Sequence, residues 1–198
     1  NSQTLLSFNP CAISSSASIT GGVGINYYDS CTANNIRLVA WIDTDAKLKY
    51  QLFNVDTGSS ITAIPPGVSN ASAMKVVAFN NWLVMFYSIV GNIYISAVDS
   101  LNPTGGATAA TLVSASANTT YTTMDACVLN EFVYLAFFTS GGGNIIVQKI
   151  DNALVNGLNR LFAGTDASYG ITIAADTVLN ELWLARVPDG TSSGVYFI

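Results

Sequence analysis

The sequence contains no histidine, and only 10% of its 198 residues are charged. Without histidine, Ser–His and Cys–His nucleophilic pairs are excluded outright. Seven basic residues against twelve acidic ones give a net charge of −5, the wrong sign for a face that neutralises phosphate. Sequence-specific nucleic-acid binding is therefore not expected, nor is a membrane surface gripped by basic clusters. Long hydrophobic runs are missing as well. The longest, such as 82–87 and 132–138, hold six or seven residues where a membrane-spanning helix needs about 20. The chain opens with neither a Met nor a basic-then-apolar leader, so it is expected to be mature, processed or cut from something longer.

Cysteine is scarce. Cys11, Cys31 and Cys127 form no Cys-x-x-Cys and have no histidine beside them, which argues against zinc. Two readings stay open: a Cys11–Cys31 disulfide that leaves Cys127 alone, or three small buried hydrophobes. No metal or cofactor is expected. Asp43-Thr44-Asp45 resembles the opening of a calcium loop but lacks the Gly and Glu that must follow. It reads as a solvated hairpin turn.

Apolar and small polar residues are abundant, and they recur in a pattern. Four Asn-led corners, Asn34-Asn35, Asn80-Asn81, Asn130-Glu131 and Asn180-Glu181, stand 46, 50 and 50 residues apart, and each opens into an apolar strand. Asparagine suits such corners because it tolerates a left-handed backbone and bonds locally to it. In the first three units a strand-closing Asp follows the corner by 22, 19 and 21 residues: Asp56, Asp99 and Asp151. These are expected to form turns through bonds to nearby amides. Spacing of this order indicates a repeat architecture.

Within each unit the runs are β-branched and aromatic with no helical period, so the chain is all-β. The expected strands include 74–79 before the second corner, 124–129 before the third and 171–179 before the fourth. Looser stretches leave room for one more strand per unit, at 61–64, 110–113 and 160–162. Four short antiparallel strands per unit is the plan of a β-propeller blade. The units run approximately 1–58, 59–101, 102–153 and 154–198 of a single propeller domain or segment. Pairing the first strand, 4–8, with the last, 195–198, would close a four-bladed ring; half of a larger ring fits equally.

Candidate chemistry is sparse. Asp29 and Asp125 lie five residues before their corner Asn and Asp176 lies four before its own, which places all three on innermost strands. Paired carboxylates there are the equipment of a propeller glycosidase, although Lys75 holds that rank in the second unit. Arg37 and Arg186 fall on opposite strand faces and Arg160 on another strand, so no sialidase-like cluster forms. Gly141–Gly143 leads into a strand rather than a helix and reads as a hairpin. Asn70 and Asn118 match the glycosylation acceptor pattern in a chain where chance matches are common. Trp41, Tyr87 and Phe137 share one rank and read as blade packing. Tyr27, Tyr28, Tyr50, Tyr94 and Tyr121 read as packing, or as a rim for sugar stacking.

The corner, strand, hairpin, strand and closing-Asp phrase resembles the degenerate blades of virion propellers. It is similar to the tail nozzle (tail tubular) proteins of short-tailed bacteriophages. That resemblance implies a non-enzymatic, structural protein: a homo-oligomeric ring or part of a larger complex, surrounding a channel, located in a virion or outside the cell. A secreted glycan-binding module is the alternative, with a propeller glycosidase behind it.

Overall fold

A computed structural model describes residues 25–61, 67–115, 123–138, 144–162, 168–188 and 194–197. It contains four antiparallel sheets in chain order. The first holds β1 (Ile25–Ala33), β2 (Ile36–Asp43) and β3 (Leu48–Asn54). The second holds β4 (Ala71–Phe79), β5 (Trp82–Ile89), β6 (Asn92–Asp99) and β7 (Thr111–Ser114). The third holds β8 (Met124–Leu129), β9 (Phe132–Phe138), β10 (Ile145–Ile150) and β11 (Asn156–Phe162). The fourth holds β12 (Ser168–Asp176), β13 (Glu181–Pro188) and β14 (Gly194–Phe197).

Each sheet is a meander whose first strand lies at its edge, and these first strands pack in series: β1 on β4, β4 on β8, β8 on β12. Sheets stacked this way bury both faces, so their second strands read as continuous apolar runs rather than alternating ones. In β5 every residue from Leu83 to Ser88 is buried. The core accordingly divides into three layers. Leu38, Leu52, Val76, Leu83 and Met85 fill the space between sheets one and two. Phe79, Val84, Phe86, Leu135 and Phe137 fill the next, and Leu129, Phe138, Ile145, Ile173 and Leu184 the third. Trp41, Tyr87 and Phe137 are all buried.

The extra strand expected at 110–113 is β7, shifted by one residue, and that at 160–162 is the end of the longer β11. In the first unit the expected 61–64 strand is represented by separate pairings, Phe53 with Ser60 and Leu48 with Val68. Its middle lies outside the described residues, as do the 4–8 strand of the ring closure, Gly141–Gly143, Tyr121 and Asn118.

The corners do more than turn. Asn34, Asn80, Asn130 and Asn180 all have positive φ, from 47° to 57°, in the region asparagine tolerates. Three of them also donate a side-chain hydrogen bond to the next sheet. Asn34 Nδ2 reaches Asn81 Oδ1 at 3.0 Å and Ser100 Oγ at 2.9 Å. Asn80 Nδ2 reaches Asn152 Oδ1 at 2.9 Å, and Asn130 Nδ2 reaches Asn180 Oδ1 at 2.6 Å. Among the closing residues, Asp99 accepts from the Leu101 amide and Asp151 from those of Ala153 and Val155. Asp56 instead accepts from the Asn35 side chain.

Two expectations are corrected here. The fourth strand stops at Asp176 rather than 179, because Asp176 Oδ1 accepts from the amides of Val178 and Leu179, both at 2.9 Å, and starts a four-residue turn. Asp43 is not in a solvated turn: it is buried, bonded by the Asp45 and Lys47 amides, and ion-paired to Lys49 at 2.9 Å. Cys31 and Cys127 are free thiols; Cys11, and with it the Cys11–Cys31 pairing, lies outside the described residues. Burial pushes both thiols up to about 12, with a neighbouring aspartate adding to it, which leaves them unreactive.

Asn130→Ala removes both the tolerated left-handed conformation and the rung to Asn180. A loss of about 2 kcal/mol is expected by urea denaturation. Asn130→Gly restores only the backbone freedom and should recover about half; full recovery would show that the rung contributes nothing. Burial drives the Asp43 carboxyl up, but Lys49 and the backbone amides outweigh it and hold it below its ordinary value of 3.8. Its stabilisation is therefore present above pH 3.8 and lost as pH falls through the lower folded value. Asp43→Asn should lower stability at neutral pH and flatten this acid limb, read from denaturation midpoints between pH 2 and 7.

Candidate functional site

Counting pairs back from each corner aligns the four inner strands. The fifth pair is Asp29–Ala40 in the first sheet, Lys75–Phe86 in the second, Asp125–Ala136 in the third and Thr172–Ala185 in the fourth. Alternation along a strand separates this rank from its neighbours. At the fourth rank, Val76, Ala126 and Ile173 point back into the layer shared with the preceding sheet. Fifth-rank side chains point forward to the next inner strand, where they meet one another.

The result is a polar chain crossing all four sheets. Lys75 Nζ lies 3.3 Å from Asp29 Oδ2 and 3.1 Å from Asp125 Oδ1. Asp29 Oδ2 also accepts from the Val76 amide at 3.1 Å. Asp125 Oδ2 accepts from the Ile173 amide at 3.0 Å and the Thr172 hydroxyl at 2.7 Å. Their other oxygens accept from the Ser30 and Ala126 amides, both at 2.9 Å. Because both ion pairs share one ammonium nitrogen, the two carboxylate oxygens stand at most about 6.4 Å apart. The group is partly open to solvent: the side chains of Asp29, Lys75 and Asp125 are 29%, 30% and 16% exposed.

Burial lowers the Lys75 pKa, but Asp125 and then Asp29 more than reverse this and hold it above the ordinary value. The ammonium is a fixed counter-ion rather than a base. Just beyond the fifth rank the inner strands lose register in three sheets, between Ile25 and Tyr27, Ala71 and Ala73, and Ser168 and Gly170. Bulges of this kind turn side chains at the rims of sites.

Of the carboxylates read from the sequence, Asp29 and Asp125 come together and Asp176 does not; it is committed to its own turn. Lys75 looked like a break in the pattern and is instead what joins the pair. Thr172 escaped notice because the longer fourth turn shifts the count from Asn180. Asp176-Thr177 ahead of that corner was the available signal. Among the described residues no cluster of ligands could hold a metal ion.

No protein-family model matches the sequence, and neither does any curated protein. Solved structures do. The α-L-arabinofuranosidase PaAbf62A from Podospora anserina, in complex with cellotriose, superposes with a TM-score of 0.57 at 13% identity over 92% of this chain and 65% of its own. The catalytic domain of the Coprinopsis cinerea GH62 α-L-arabinofuranosidase gives 0.56 at 14% identity, covering 91% and 65%. A GH43 α-L-arabinofuranosidase from Clostridium thermocellum gives 0.51 at 14%, covering 86% and 66%. The chain is a β-propeller. It spans just under two thirds of the length of these structures.

The neighbours correct the expected role. A non-enzymatic virion propeller is overturned by a set of glycoside hydrolases that shares the fold over nearly the whole chain. The likeness to phage tail nozzle proteins extends to the β-propeller and gains no further support. Among the described residues no helix is long and apolar enough to cross a membrane.

Lys75→Met leaves two carboxylates facing each other. As the group is about one third exposed, the cost should lie between those of surface and buried pairs, about 1–2 kcal/mol at pH 7. The raised folded value of Lys75 makes its contribution complete below pH 10.5 and lost as pH rises beyond. The alkaline decline in denaturation midpoint should therefore be smaller in the variant. Unchanged stability at pH 7 would show the ammonium to be dispensable.

Proposed function

We propose that this propeller hydrolyses glycosidic bonds of an extracellular polysaccharide, with Asp29 and Asp125 as its working carboxylates. The observation that carries the proposal is their placement: two partly exposed carboxylates from different blades, with oxygens at most about 6.4 Å apart on inner strands. That bound admits the retaining arrangement of about 5–5.5 Å and stops just short of the inverting range of about 6.5–9.5 Å. The likeness in fold to arabinofuranosidases supports it.

The environments divide the roles. Asp125 is the more enclosed and accepts from Lys75, Thr172 and two amides, donors that aim it. It attacks the anomeric carbon as the bond to the leaving oxygen breaks. Asp29, with fewer donors and more solvent, delivers the proton to that oxygen, then removes one from the water that releases the sugar. Lys75 lies between them in the free protein, so the substrate must draw it wholly to Asp125. Short β-linked oligosaccharides such as the cellotriose bound to one neighbour, and arabinose-substituted xylans, are the substrates to try.

Incubation with arabinoxylan and with xylotriose should release reducing sugar. Asp125→Asn should lower the rate at least about 100-fold, the low end for one acid–base or nucleophilic group. Asp176→Asn, a turn residue, should leave it unchanged. No release by the natural protein from either substrate, or full activity in Asp125→Asn, would overturn the assignment.

A further inference from the structure

The polar chain explains where a sugar would react but not what holds its ring. Two ranks along β1 from Asp29 stands Tyr27, which pairs with Ile42. Residues two apart lie on one face of a strand, about 7 Å from each other. Tyr27 therefore shares the forward face of Asp29, whereas Tyr28 takes the opposite one. The corresponding seventh-rank residues elsewhere are small, Ala73 and Gly170. One blade thus raises an aromatic side chain at this level where these two counterparts carry a methyl group or none.

Tyr27 is also unspent. Its side chain is 54% exposed, whereas Trp41, Tyr87 and Phe137 are buried in blade packing. Tyr50 is engaged too, its hydroxyl accepting from the Ala107 amide at 3.2 Å, and Tyr94 stacks on Tyr87 at 5.9 Å between ring centroids. The register break falls only before Tyr27, so Tyr27 keeps the register, and the face, of Asp29.

We infer that Tyr27 is the stacking platform of a sugar subsite, holding a pyranose ring next to the residue whose linkage lies over Asp29 and Asp125. The chemistry fits a β-linked gluco- or xylopyranose. Its hydroxyls lie around the ring edge and leave an apolar C–H face to cover an exposed aromatic, while the edge hydroxyls donate to the carboxylates below. Tyrosine supplies broad, rigid area at little conformational cost, with a polar tip that stays wet. The inference rests on the carbohydrate reading of the site and adds to it the residue that selects a ring-shaped ligand.

Binding and cleavage are measured separately on the full chain, with xylotriose and cellotriose as probes. Tyr27→Ala should weaken binding of the trisaccharide five- to tenfold, about one aromatic contact, and raise KM with little change in kcat. Tyr27→Phe should retain wild-type affinity, because the ring face and not the hydroxyl makes the contact. Tyr28→Ala, on the opposite face, is the control for general damage to β1 and should bind normally. A response to only one trisaccharide would identify which pyranose the platform prefers. Unchanged affinity in Tyr27→Ala, with the natural protein binding well, would overturn the stacking role and leave the carboxylate assignment standing. Equal weakening by Tyr28→Ala would overturn it too. Absence of binding and cleavage in the natural protein would remove both together, a failure visible before any variant is made.

Discussion

An inner strand with an open edge is the constraint on which this molecule turns. Each sheet begins at a strand whose outward amides have no partner within the sheet, and such edges must be covered, charged or satisfied. Here the neighbouring blade satisfies them. Asp29 accepts from the Val76 amide of the second blade, and Asp125 from the Ile173 amide of the fourth. Lys75 then balances the charge that these two acceptors bring to the centre. The interactions that join the blades at their inner edges are thus made by the residues best placed for chemistry.

That double duty shapes the functional reading. Four donors hold Asp125 and three hold Asp29, so both carboxylates are firmly oriented. The proposed division of tasks rests on the greater enclosure of Asp125, whose side chain is 16% exposed against 29% for Asp29. The same network makes the centre sensitive to blade spacing, since its bonds cross from one sheet to the next. Packing in the three apolar layers therefore governs the geometry of the polar chain.

Much of the fold was legible because its signals are periodic. Corner asparagines, apolar second strands and closing aspartates recur at near-constant spacing, and blade packing imposes all three. The candidate pair was legible for the same reason, as Asp29 and Asp125 sit at one rank. What was hidden depends on neighbours that a linear count does not see. The corners' side-chain rungs join residues 47 to 72 positions apart. Asp43 looks exposed beside Thr44 and Asp45 until Lys49 and the β2–β3 turn close around it. The four-residue turn at Asp176 displaced the count by which Thr172 would have been found. Lys75 reads in the sequence as an absent carboxylate, and only the packing of the inner strands makes it a cation between two.

The layered core also sets an order of loss. Each described blade packs on its immediate neighbours in the series, so cohesion is a sum of nearest-neighbour layers, as in other repeat architectures. Among the described residues, blades two and three are gripped by such layers on both faces and blades one and four on one, with Tyr28 and Trp183 exposed on the other. Amide protection should then be greatest in β5 and β9 and decline outwards. Lys75 and Asp125 stand on the two blades packed on both faces, while Asp29 and Tyr27 share β1, where the described residues form one such layer. Loosening of the polar chain should therefore begin at Asp29 and Tyr27 rather than at Lys75 and Asp125.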